Sequence, residues 1–200
     1  MAGTTDNWRV AGRALGEGKL YANLAIPGAG ARLTLDATTN TPDATANPNA
    51  IHLGGTKAGA KLMVKPSRQD FFIDEVVAPV DSIITGMEMA ISAELVGVTD
   101  MALLELLTSG FGTKSTGSGY EEISFGTRAD IFSSVALIAP LRDDPAKVFV
   151  WHLYKAINDA GLDFSQGKKE MSFVPVNFRG YAITTRAIAD QWGKGWKQTT

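Results

Sequence analysis

This sequence could do chemistry at two carboxylates on one alternating stretch, two histidines, an acidic pair and two glycine-rich stretches. Glu88 and Glu94 are six residues apart within the alternating run Ile83–Leu95, so they share one face of a strand. At a rise of ~3.3 Å per residue they stand roughly 20 Å apart, too far for an acid and a base to work on one bond. His52 and His152 are unpaired in sequence. His152 lies in the apolar run Val148–Tyr154, where a satisfied core histidine outweighs a ligand. Asp143-Asp144 precedes Pro145, which is turn chemistry before it is a metal site. Gly55-Thr56-Lys57 lacks the G-x-x-x-x-G-K of a phosphate loop. Gly110–Gly119 has no G-x-G-x-x-G opening a helix and reads as a flexible loop. There is no G-x-S-x-G, H-E-x-x-H or EF-hand loop. The chain has no cysteine, which excludes thiol catalysis, thiolate metal sites and disulfides and suits a reducing cytoplasm. No catalytic residue, metal or cofactor is expected, and an enzyme is the least expected class.

The elements that must position these residues are strands. From Ile83 to Leu95 the odd positions are Ile83, Thr85, Met87, Met89, Ile91, Ala93 and Leu95, against Gly86, Glu88, Ser92 and Glu94. That period of two predicts a long strand with one buried and one wet face. At Gly97 the pattern changes. Thr99-Asp100 offers an N-cap, Met101, Leu103, Leu104, Leu106 and Leu107 follow at helical spacing, and Ser109-Gly110 supplies a stop, so a helix is expected at about 99–109. Further strands are expected at Lys19–Ile26, Ala31–Ala37, Lys61–Lys65, Phe71–Val77, Glu122–Thr127, Phe132–Leu141, Val148–Tyr154 and Glu170–Ile183, and a short one is open to Ile51-His52-Leu53 within the long loop. Val148–Tyr154 is apolar enough to be buried on both faces. Pro175 implies an edge or a bulge.

The expected organisation is an N-terminal arm (1–18), one β domain (19–188) with a long loop at 38–60, and a polar C-terminal tail (189–200). The fold class is mainly β, a β-sandwich or barrel-like core with one short flanking α-helix and long loops or arms. The N-terminus has no basic n-region or apolar h-region, and no run of 18 apolar residues exists, so neither a secretory signal nor a membrane span is expected.

The net charge of −2 is unevenly placed. Residues 1–68 hold eight basic and four acidic residues, whereas 69–113 hold eight acids and no base. A nucleic-acid-binding chain would show a basic stripe. Here the longest alternating strand is acidic on its polar face, which reads either as a solvated sheet face or as a surface that must not stick to phosphate.

The order of elements resembles that of the tail tube (major tail) proteins of long-tailed, non-contractile bacteriophages. The matching pieces are Gly18-Lys19-Leu20-Tyr21 opening the first strand, and Met87–Leu95 feeding Asp100–Leu107. Val148–Ala156 and Met171–Tyr181 complete the match, so the resemblance spans roughly residues 18–185. It is one of pattern and element order, not of an invariant motif. It implies a phage tail tube fold whose copies close into rings, six to a ring, stacked as a hollow virion tail. Viral DNA passes through the bore without specific binding. The chain would be made in the host bacterial cytoplasm and meet itself, tape-measure, tail-tip and tail-terminator proteins, and no membrane. On this reading Glu88 and Glu94, with Asp74, face the lumen. Trp8, Thr41, Asn47, His52, Lys57, Phe111, Lys114, Trp192 and Trp196 lie on segments expected to make inter-subunit or inter-ring contacts. Basic N-terminal parts would then meet acidic central parts of neighbours. The rival expectations are another ring-forming tail component (a tail terminator, or the inner tube of a contractile injection machine) and a ligand-binding β-barrel.

Overall fold

The computed structural model describes residues 18–71, 81–127, 129–141, 143–163 and 173–199. Its centre is the apolar run expected to be buried on both sides, which forms β8 (Val148–Asn158). One edge of β8 pairs with β7 (Ser133–Pro140) along nearly its whole length. The other edge is divided. Residues 149–153 take β10 (Gly193–Lys197), and residues 156–158 take the end of β9 (Phe173–Gly180). β9 and β10 therefore lie nearly end to end along one edge, and the chain leaves that edge between Gly180 and Gly193.

The remaining strands extend the sheet from these two sides. β1 (Lys19–Ala22) joins β7 and carries β2 (Ile51–His52). β4 (Asp81–Val96) joins β9, and β3 (Gly55–Phe71) joins β4. All pairs are antiparallel, and the eight-stranded sheet runs β2-β1-β7-β8-β9-β4-β3 with β10 on β8. The first and last strands of that order are linked only by Leu53 and Gly54, so the sheet has to curl into a half-barrel. Leu53, fully buried, sits in the enclosed core with Leu20, Ile91, Leu95, Leu153 and Phe178. Gly54 takes the left-handed φ of +93° that the tight link requires.

The helix α1 (Met101–Leu107) closes the same core. Asp100 caps it, its Oδ1 accepting from the Ala102 N–H at 2.8 Å. Leu103, Leu104 and Leu107 enter the core at helical spacing, each stabilising by about 1.5–3 kcal/mol if fully withdrawn from water. The left-handed stop falls on Ser109 (φ +50°) and Gly110 (φ +106°) together. A second, smaller core on the opposite face of β1, β7 and β8 is covered by Leu24, Leu33 and Leu35 of the following loop and by Trp196.

Several expectations are corrected. Residues 31–37 form no strand; only a single bridge between Leu35 and Pro42 survives, because Asp36, Thr39 and Asn40 fold into turns. The long loop expected at 38–60 ends at residue 50: the short strand open to 51–53 forms as β2, and β3 begins at Gly55. β3 runs through Pro66 without a break, since an edge strand can seat a proline whose missing N–H faces the free side. Gly110–Gly119 is largely a hairpin, β5 (Gly112–Gly117) with β6 (Tyr120–Phe125). Its Thr-Lys-Ser-Thr segment pairs with β6 across a turn that holds Gly119 at φ +88°. The polar C-terminal tail is strand β10, recruited because half an edge of β8 would otherwise lie unpaired. Residues 1–17 of the expected arm, the expected strand beyond Phe71, and residues 170–172 of the expected closing strand lie outside the described residues.

Asn158 ties these layers together. Buried at the end of β8, its Nδ2 donates to the Leu107 carbonyl at 2.9 Å and to that of Gly161 at 3.1 Å, and its Oδ1 accepts from the Asn177 N–H at 2.9 Å. Replacing Asn158→Ala strands two carbonyls and one N–H. The expected loss is about 2–4 kcal/mol of unfolding free energy, measured by urea denaturation.

Candidate interaction surface

One face of β3, β4 and β9 turns away from the enclosed core. Register sets its composition. Lys65 stands opposite Glu88, Met63 shares a row with Ala90 and Arg179, and Lys61 shares the next with Ser92 and Asn177. Glu94 stands opposite Pro175. Lys57 reaches Glu94 at 3.9 Å and lies 4.0 Å over the Phe173 ring, while Arg179 reaches Glu88 at 3.7 Å. The two carboxylates do share a face, as their spacing requires, but they are interleaved with cations from two neighbouring strands. The segment 69–113 is acidic as a sequence, whereas this face carries Lys57, Lys61, Lys65 and Arg179 against Glu88 and Glu94.

Beyond Met89 toward its N-terminus, β4 has left β9 and, among the described residues, pairs only with β3. There the two strands form a ribbon with Val64 46%, Phe71 43%, Ile83 48% and Ile84 63% exposed. No other strand among the described residues pairs with the 17-residue β3, which forms one end of the described sheet.

The other residues expected at contacts are dispersed. Trp8 and Asp74 lie outside the described residues. Asn47 is buried, its Oδ1 accepting from the Ala25 N–H at 3.1 Å and its Nδ2 donating to Asp43 at 3.2 Å, so it organises its own loop instead of presenting a side chain. Thr41 sits in the same loop with its hydroxyl 2.8 Å from that of Thr39. His52 packs against Tyr21 with ring centroids 5.0 Å apart; partial burial and then the Lys19 ammonium lower its pKa. Lys114 is held at 2.7 Å by Glu121 across the β5–β6 hairpin, and Phe111 packs on Phe125. Trp192 packs against the enclosed core, and Trp196 against the smaller one beneath Arg32, so neither is the exposed tryptophan its polar surroundings suggest.

A polar cluster around Arg186 was not legible as a site. Arg186 bonds Asp190 at 2.6 Å and the Pro27 carbonyl at 2.9 Å, and lies 4.4 Å over the Tyr154 ring. Tyr154 donates to Asp190 at 2.9 Å. Arg186 holds the Asp190 carboxyl down to about 2, and burial, aided by the bond to Asp190, pushes Tyr154 up to about 12. Lys194 adds bonds to the Gly30 and Ala31 carbonyls. The cluster fastens the loop after β1 to the C-terminal strand.

Beside it, His152 Nε2 lies 2.5 Å from Ser134 Oγ, an arrangement that resembles a nucleophile and its base. Ser134 Oγ also reaches the Leu153 carbonyl at 3.3 Å, and His152 Nδ1 is buried with no hydrogen-bond partner among the described residues. The tautomer that buries least unmet polarity has Nε2–H donating to Ser134 and the serine hydroxyl donating to Leu153. In that state the imidazole cannot take the serine proton, and the pair is a core tie. Among the described residues no three His, Asp or Glu side chains gather as metal ligands. No family model and no curated protein matches this chain in sequence.

Burial, and then the Arg186 charge, lowers His152 to about 4. The unfolded imidazole, near 6.5, binds its proton first as pH falls. Stability from this group is therefore complete above about pH 6.5 and drains away toward pH 4, by up to roughly 3 kcal/mol. Urea midpoints should fall between pH 7.5 and 4.5, and His152→Asn should flatten that slope while lowering stability at pH 7.5.

Proposed function

We propose that this chain is a structural, non-enzymatic subunit that assembles with copies of itself into rings, six to a ring, stacked as the hollow tail tube of a long-tailed bacteriophage. On this reading the fold is the tail tube fold, and viral DNA passes through the bore. The subunit is made in the host bacterial cytoplasm and ends in the virion, where it meets tape-measure, tail-tip and tail-terminator proteins. The observation that carries the reading is the β3–β4 ribbon. A two-stranded ribbon is marginal alone in water, and this one exposes Val64, Phe71, Ile83 and Ile84 beside a long edge that no other strand among the described residues pairs. Natural proteins blunt or cover such edges, and a neighbouring copy would do so. The two ends of the sheet also differ, since β2 pairs over two residues and β3 spans 17. A long edge seated on a different surface of the neighbour is a heterologous contact, the kind that closes into rings. The order of elements supplies the rest of the reading.

A second reading is favoured by an open cleft of about 910 Å³ lined by Asn23, Phe132, Ser133, Tyr154 and Lys155. Its size suits a small molecule, as in a ligand-binding β-barrel. A tail terminator or the inner tube of a contractile machine would share the ring and differ in copies per particle.

Negative-stain micrographs of the purified chain, alone and with tail-tip extract, test the first reading; hollow tubes or six-fold rings are expected. Ile83→Lys with Ile84→Lys should abolish them while leaving the circular dichroism spectrum intact and stability within about 0.5 kcal/mol, as for other exposed positions. Dispersed monomers under every condition would reject the tube.

A further inference from the structure

The geometry points to a masking role for Glu88 and Glu94: they offset half the charge of a basic row on the β3–β4–β9 face, so that duplex DNA can pass against it without being held. The choice of DNA as the polyanion rests on the tube reading; the masking itself rests on the register. Four cations, Lys57, Lys61, Lys65 and Arg179, flank β4 on one face, three from β3 and one from β9. Uncompensated, such a row would bind phosphate backbone, each contact releasing counterions and adding salt-dependent affinity. Glu88 lies opposite Lys65 and within 3.7 Å of Arg179, between two of the cations. Glu94 takes Lys57 at 3.9 Å. Lys61 faces the uncharged Ser92, and Arg179, opposite Ala90, reaches Glu88 along the diagonal.

These contacts are long and half-exposed, with side-chain exposures of 40–53% for the four paired groups. Ion pairs of that kind contribute little to stability. Fold stability therefore gives little reason for two carboxylates to stand among the cations, whereas the electrostatics of the face gives a direct one. The face departs from the expected acidic wall. Instead of repelling phosphate outright, it holds a mixed row in which three of the four cations stand beside a carboxylate.

The test is fluorescence anisotropy of a labelled random-sequence 30-bp duplex with dispersed protein, from 50 to 200 mM salt. The variants are Glu88→Gln with Glu94→Gln, and the same pair with Lys61→Gln and Lys65→Gln added. The first variant is expected to bind at least about tenfold tighter than the native chain at 100 mM salt, with a log–log salt slope steeper by about one to two. The second is expected to return to native binding, and circular dichroism checks that all three chains share a fold. Equal affinity and slope for the native chain and the first variant would overturn the proposal, as would tight binding by the native chain. The assay reads dispersed subunits, so its failure would leave ring formation standing, and absence of rings would leave the masking result standing.

Discussion

The divided edge of β8 is the constraint on which the rest of the structure depends. One strand, buried on both faces, has to satisfy its hydrogen-bonding groups on both sides. β7 serves one side, but on the other β10 covers residues 149–153 and β9 covers only 156–158. Because β9 meets β8 over three residues, it is free to diverge and carry β4 and β3 with it. The half-barrel, the enclosed core and the projecting ribbon all follow from that fork. The ribbon exists because β4 outruns β9.

Polar ties hold the fork in place. Arg186, Asp190 and Tyr154 sit where the chain leaves the β8 edge and returns to it, and they clamp the loop after β1 onto the same spot. Asn158 does the corresponding work at the far end of β8, joining α1, the Gly161 turn and β9. Asn47 organises the covering loop from within. Each places a hydrogen-bonding side chain where backbone groups have no strand partner. Burial without such partners would cost about 1–3 kcal/mol per group.

The electrostatics follow the same geometry. Charge along the chain is segregated, with bases early and acids in the middle. Antiparallel pairing of β3 with β4 lays one segment against the other, so the segregation disappears on the folded face. Lys65 meets Glu88, Lys57 meets Glu94, and Arg179 arrives from β9, far along the chain. The expected contact residues scatter for a related reason. Several, among them Asn47, Trp192 and Trp196, are polar or aromatic because they complete their own subunit.

Local pattern alone determined the mainly β character, the long strand around Ile83–Leu95, the capped helix after Asp100 and the double-sided burial of Val148–Tyr154. Each rests on a periodicity or a cap that neighbours in sequence can satisfy. Glu88 and Glu94 were placed on one face for the same reason, since alternation is a property of a single strand. The sequence could not reveal partners. Lys61–Lys65 reads as a short strand until β3 is seen to run through Pro66 to Phe71, Gly112–Gly117 reads as a linker until β6 lies beside it, and 193–197 reads as a tail until β8 is seen to need it. Whether Glu88 faces water, a neighbour or an arginine is likewise a matter of register between strands far apart in sequence. Tertiary structure decided these points, because hydrogen-bonding edges and charges are completed by whatever the fold brings alongside.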